Sequence, residues 1–370
     1  MHLTPLPNAL ILLVMSGLLT GAAVGQVKPG GEVDAAKCWS YPVDAGQRLA
    51  TDGALIFAGS TGAKVEALSL GGKKVWTTAL GGEIGSNLLA LENSLFLVTS
   101  AISADGTPGS SLLRNLSKDT GVTNWTGKLP DASHFLGAAN GSVVVVSGNG
   151  VVHSIDPRTG SVKWKREIAE GFSGKPVFAG DKLLVATTAS QLFTMSPESG
   201  EIDSMRKLAS RATALAVLQN GGLVVGDERG SVTSLANGEK VNWSVKTGGS
   251  ISTLIAVGND LIAVSNDNFV YFLTGRNGGL EWKKRLSGRA SQVGLVDGKY
   301  VVVSTLDEAG AVLLDLSTGR VAGRMALGAS EILVSEPLAA NAMILILTNE
   351  AIQSFSLNGC GKKQEAASSR

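Results

Sequence analysis

The chain has 370 residues, with 32 basic against 31 acidic side chains, a formal net charge of +1, and a composition that is 44% hydrophobic and 17% charged. That excludes a disordered chain, and so even a charge balance leaves no electrostatic footprint for nucleic acid or an anionic membrane surface. The 47 glycines favour β structure with many tight turns.

In chain order, the first feature is a nearly unbroken apolar run from Ala9 to Gly25, ended by polar Gln26. Together with the small-residue pattern Ala23-Val24-Gly25 it predicts a secretory signal over residues 1–25, although the segment ahead of the run offers His2 and no Lys or Arg. A retained span asks for about 20 apolar residues, so the processed chain is expected to be exported, periplasmic or secreted, and without a membrane span. Its two cysteines, Cys38 and Cys360, stand at opposite ends of the mature chain. Two cysteines in an exported protein predict one disulfide. Lipid attachment at Cys38 would call for Leu three residues earlier and a small residue just before it, where this chain has Ala35 and Lys37. The histidines, His2, His134 and His153, are scattered and build no zinc site with the cysteines.

A long period organises everything that follows. Trp39, Trp76, Trp125, Trp164, Trp243 and Trp282 recur at steps of 37, 49, 39, 79 and 39 residues. The 79-residue step spans two periods, with Ser204 at the intermediate position, and Gly323 occupies the position after Trp282. That makes eight units, and a period near 40 filled with short strands marks a propeller rather than a helical array. Each tryptophan, on the last strand of its unit, is expected to pack between adjacent blades.

Within the units, turn dipeptides separate apolar runs at Asp52-Gly53, Glu92-Asn93, Asn140-Gly141, Gly180-Asp181, Asn220-Gly221, Gly258-Asn259, Asp297-Gly298 and Ala340-Asn341. The third unit predicts four strands, His134 to Ala139, Ser142 to Ser147, Val151 to Asp156 and Ser161 to Ile168. A lone four-stranded sheet cannot bury both faces, whereas eight stacked radially can. The second unit carries an insertion, Ala101 to Ser110, which accounts for the 49-residue step.

The two ends of the lattice are complementary. Lys37 to Val43 reads as a last strand without predecessors, while Leu333 to Ala339, Met343 to Thr348 and Ala351 to Leu357 supply three strands without a fourth. The N-terminal strand is therefore expected to complete the C-terminal blade. Aligning Ser356-Leu357-Asn358-Gly359-Cys360 with Ser69-Leu70-Gly71-Gly72-Lys73 sets Cys360 two strand positions from Cys38, which predicts that these two are the bonded pair. The expected organisation is a signal at 1–25, an all-β propeller of eight four-stranded antiparallel blades at 26–360, and a polar tail at 361–370.

The segments Ser154-Ile155-Asp156-Pro157-Arg158-Thr159-Gly160-Ser161-Val162-Lys163-Trp164 and Leu313-Leu314-Asp315-Leu316-Ser317-Thr318-Gly319 resemble the quinoprotein, or PQQ-like, β-propeller repeat. A short strand ends in Leu-Asp or its like, a Thr-Gly turn follows, and the next strand carries Trp. The WD40-like repeat instead places Asp after Trp, which occurs nowhere here. The resemblance implies one of two uses. Quinoprotein dehydrogenases hold PQQ and calcium over the ring and, in alcohol-oxidising members, carry adjacent bonded cysteines; this chain has no such cysteine pair and no matching acid-plus-amide set. The shorter exported members resemble the BamB-type scaffolds of outer-membrane protein assembly.

No Gly-x-Ser-x-Gly elbow, Walker loop or His-Glu-x-x-His motif is present, so no catalytic, cofactor-binding or metal-binding residues are assigned. The expectation is a monomeric, non-enzymatic scaffold that binds protein partners, with a PQQ-dependent dehydrogenase or another small-ligand propeller as the alternative. Partner binding is assigned to the face that gathers the second-to-third-strand turns and the connections between blades. That face carries Asp227, Glu228, Arg229, Asp267, Asn268, Asp307 and Glu308, with Arg211 and Arg289 from the connections.

Overall fold

A computed structural model of the chain describes residues 34–102, 108–130, 134–168, 170–236 and 240–360. The predicted signal at 1–25 and tail at 361–370 lie outside them.

Short β-branched runs between turn residues become strands. In the third repeat these are His134–Ala139, Ser142–Ser147, Val151–Ile155 and Val162–Glu167, paired antiparallel in chain order. The two middle strands are buried along their whole length, because each face meets a neighbouring blade. The outermost strand is largely exposed, and Lys163, Lys165, Arg166 and Glu167 line it with the charges that keep an open edge from pairing with another chain. At the first hairpin, φ is +48° at Asn140 and +68° at Gly141, a conformation these two residues adopt at little cost.

The sheet recurs as eight blades: 46–79, 83–129, 134–167, 172–207, 212–246, 251–285, 290–325, and 338–356 completed by 36–42. Each inner strand contacts the next and the eighth contacts the first, which closes an eight-bladed propeller. Among the described residues the helical content is one 3-10 turn, Thr61–Ala63.

Two inner strands differ from expectation. In blade 2 the strand is split into Glu83–Ile84 and Leu89–Leu91, because the Ser86 hydroxyl accepts the Val98 N–H at 2.8 Å in place of a backbone carbonyl. The Asn87 amide then bridges to blade 3, donating to the Leu136 carbonyl at 3.0 Å and accepting its N–H at 2.8 Å. In blade 8 the expected strand from Leu333 to Ala339 shrinks to Leu338–Ala340 plus an isolated bridge at Leu333. Pro337 sits between them and has no N–H for the ladder.

The ring closes through Ala36–Pro42, which pairs with Ala351–Ser356 from Ala36 opposite Ser356 to Pro42 opposite Ala351. The register slips at Cys38, as it does at Val75 on the outer strand of blade 1. This extra residue of the bulge is bonded to Cys360, with the two Cα atoms 5.2 Å apart. The same strand reaches forward into blade 1: the Trp39 indole donates to the Leu70 carbonyl at 3.0 Å, and the Tyr41 hydroxyl donates to Glu66 at 3.1 Å. Burial and the neighbouring carboxylate push the Tyr41 hydroxyl up to about 12, so it remains a donor at every physiological pH.

The core lies between blades rather than within them. Ile262, Val264, Val270 and Trp282 of blade 6 pack with Val293, Val301, Val303 and Leu314 of blade 7, and each such side chain contributes about 1.5–3 kcal/mol on burial. A repeated indole contact sets the spacing. The tryptophans at 76, 125, 164, 243 and 282 donate to the carbonyls of Lys118, Pro157, Pro197, Gly275 and Leu316 on the following blade, at 2.5 to 3.2 Å. Each ring lies flat on a turn glycine; at Gly319, which has φ +66°, an added Cβ would fall 2.5 Å from the Trp282 ring.

Candidate functional site

Turns between the second and third strands are hydrogen-bonded to the connections that enter or leave each blade. Glu228 N–H donates to Arg211 O at 3.0 Å, Leu306 N–H to Arg289 O at 3.0 Å, and Leu286 N–H to Asn268 O at 2.8 Å. These loops therefore form one rim. The first-hairpin turns and the Thr-Gly turns occupy the other.

The nine residues assigned to this rim play different parts. Asp227 is buried: one carboxylate oxygen accepts the N–H groups of Arg229 at 2.9 Å and Ser231 at 2.8 Å, and the other accepts the Ser210 hydroxyl at 2.6 Å. Asp267 does the same work one blade on, accepting Gly248 N–H at 2.8 Å, Phe269 N–H at 3.1 Å and the Tyr271 hydroxyl at 2.6 Å. Burial, reinforced by that carboxylate, raises the Tyr271 hydroxyl well above its ordinary range. Both aspartates thus hold the rim in shape. Asp307 lies close over the preceding connection, where a Cβ on Gly288 would sit 1.7 Å from its Oδ2.

The side chains presented to solvent are Arg211, Glu228, Arg229, Arg289, Asp307 and Glu308, with Asn268 half-buried. Arg211 and Glu228 pair at 3.0 Å, and an exposed pair of this kind is worth at most about 1 kcal/mol. Sequence reasoning missed two members of the rim. Leu306, 68% exposed, and Ile332, 63% exposed, are large apolar side chains on blade 7 and on the connection into blade 8. Scattered exposed apolar residues need no explanation, but Leu306 next to Asp307 in the chain and Ile332 on the following connection give the rim apolar points among its charges. Strands Ser94–Ile102 and Pro108–Ser117, at 9 and 10 residues, lengthen blade 2 toward this same rim, and residues 103–107 of the expected insertion lie outside the described residues.

At the ring centre, a cavity of about 430 Å³ is lined by Arg48, Thr51, Asn87, Lys175, Ser335 and Glu336. Lys175 of blade 4 meets Glu336, on the connection into the opposite blade 8, at 3.1 Å, so an ion pair spans the channel. Among the described residues, no group of three His, Cys, Asp or Glu side chains could hold a metal ion, and no helix is long and apolar enough to cross a membrane. His134 bonds Ser147 at 2.9 Å, while His153 is buried; burial and then Lys165 hold it below the ordinary imidazole range.

Comparison with known proteins agrees with the blade architecture. The PQQ_2 family model, described as outer membrane protein assembly factor BamB, matches residues 17–133, 109–322 and 228–349. The chain belongs to that family. Among curated relatives, the outer membrane protein assembly factor BamB of Yersinia pestis is 24% identical over 279 residues, covering 65% of this chain and 69% of the relative. The BamB of Escherichia coli K12 is 26% identical over 165 residues, 44% of this chain and 41% of the relative's own length. Among solved structures, BamB from Moraxella catarrhalis superposes with a TM-score of 0.66 at 15% identity, over 87% of this chain and 97% of that one. The computationally designed Ika8 protein gives a TM-score of 0.71 at 14% identity, over 85% and 96% of the two chains. At such identities these superpositions establish the fold alone.

Proposed function

We propose that the chain is an exported, monomeric and non-catalytic propeller scaffold that takes part in outer-membrane protein assembly, binding protein partners through the rim described above. The family match across residues 17–349 carries this reading. The rim supports it with mixed charge and exposed apolar points on loops that Asp227 and Asp267 hold in shape, the composition of a preorganised protein-binding surface. Localisation follows from the same reading: periplasmic, at the outer membrane.

The test reverses exposed charges while leaving the loop-holding aspartates intact. Glu228→Lys, Arg229→Glu and Glu308→Lys are combined, and cross-linked complexes are captured from the native envelope. Capture of an outer-membrane assembly component is expected to fall by about tenfold with an unchanged melting temperature. Undiminished capture, both there and after trimming residues 101–110, would move the binding surface elsewhere. Titration with PQQ and calcium separates the dehydrogenase reading, which requires stoichiometric binding.

A further inference from the structure

Six blade interfaces hold an indole against the following blade, and the two that lack one are built differently. Between blades 7 and 8, where Gly323 stands, the chain fills the space itself: Ala35 packs with Phe355, Met325 and Leu333 and donates its N–H to Arg324 O at 3.0 Å. Between blades 4 and 5 the position is Ser204, on the strand Ile202–Lys207, opposite Thr194. The strand pairs as its counterparts do. Arg206 even ties the next turn, Nη2 to Lys240 O at 2.9 Å, as Arg166 ties Gly200 O at 2.8 Å one interface earlier.

With a hydroxymethyl group where its counterparts carry an indole, this interface keeps a cavity of about 710 Å³, walled by Leu184 and Leu192 of blade 4 and by Val217, Leu223 and Leu235 of blade 5. One interface earlier, the corresponding Val144 and Val152 are packed with Trp164 and with Leu183 of the facing blade. A volume of about 300–1,000 Å³ is typical of a built ligand site. A second cavity of about 410 Å³ shares Arg206 and Leu235 with the first and runs on to Ser210 and Asp227 at the rim. The two adjoin at Arg206 and Leu235, and together they line the interface as a groove with Arg206 at its middle.

We propose that this groove binds an extended segment of a partner polypeptide, anchored by an aromatic side chain seated beside Ser204. The aromatic anchor follows from the six sister interfaces, where the same backbone frame encloses an indole. The extended polypeptide follows from the length of the groove, which continues past the indole position to the rim, further than a single planar ring would reach. Two basic side chains, Lys182 and Arg206, and the Ser204 hydroxyl supply polar contacts for the peptide groups flanking the anchor. The groove reaches the rim at Ser210 and Asp227, while the rim variants above change Glu228, Arg229 and Glu308, none of which lines it.

The test uses the full mature chain, with a blocked pentapeptide carrying central Trp as the probe, its Trp→Ala counterpart and free indole as comparisons, and Ser204→Trp as the variant that fills the site from within. Methyl NMR of the wild type should show saturable shifts confined to the methyls that line the groove, from Leu184, Leu192, Val217, Leu223 and Leu235 around the anchor to Leu208, Val225 and Val241 toward the rim. The Trp peptide should bind about tenfold more tightly than either comparison, as an aromatic hot spot does, and Ser204→Trp should abolish binding. Equal affinity for free indole would assign the site to a small molecule and overturn the polypeptide occupant. Absence of saturable shifts, shifts at other methyls, or full binding to a folded Ser204→Trp chain would overturn the site. Should that variant fail to fold, the wild-type shift map and the comparison of the three probes decide alone.

Discussion

Tryptophan and aspartate illustrate what single residues disclose in this chain. The Trp positions announce the repeat because a large aromatic every 40 residues or so has one economical use in a ring of stacked sheets, and the indoles at 39, 76, 125, 164, 243 and 282 all reach the next blade. Truncating Trp282→Ala removes a buried ring and strands the Leu316 carbonyl, so chemical denaturation should register a loss of about 3–5 kcal/mol. The rim aspartates were legible only as loop residues. Spacing on a turn does not say that the carboxylate of Asp227 folds back onto Ser210 and two backbone N–H groups, and this is why the sequence groups it with Glu228 and Arg229, which face solvent. His153 provides a pH signature at the same scale. Its folded pKa is depressed, so between that value and the unfolded value of about 6.5 the unfolded chain binds more protons than the native one. Stability is full above about pH 6.5 and is lost as the pH falls through the folded pKa; His153→Leu should flatten that part of the melting-temperature profile.

Strands and turns were legible wherever local chemistry decides them. The third blade follows its predicted boundaries to within a residue because Asn140-Gly141 and the Thr-Gly turn fix both ends of its hairpins. Inner strands were less legible: the split in blade 2 depends on a Ser86 hydroxyl replacing a backbone acceptor, and the shortening in blade 8 on where Pro337 falls relative to the ladder. The closing strand was recoverable because two incomplete ends had to match. Its clasp, Cys38 to Cys360, closes a loop of 322 residues and on the chain-entropy model contributes up to about 6 kcal/mol. The Cys38→Ser, Cys360→Ser protein should remain an eight-bladed propeller, since Trp39, Tyr41 and the strand ladder still join the ends, but with a lower denaturation midpoint. An unchanged midpoint would show that the clasp adds nothing to the closure.

At the scale of the whole molecule, radial stacking turns eight weak sheets into one rigid ring whose cores lie at the blade interfaces. Rigidity fixes the loops of the rim, and a fixed set of charged and apolar points lets a surface recognise a protein with little ordering cost. The family model spans nearly all of that ring, and the proposed role in outer-membrane protein assembly rests on that match. The most direct measurement is the abundance of β-barrel proteins in the outer membrane of the native cell after depletion of this chain, with restoration by the wild type or by the combined Glu228, Arg229 and Glu308 variant. Barrel proteins should decline on depletion, recover with the wild type and fail to recover with the rim variant, whereas unchanged barrel levels after depletion would contradict a role in their assembly.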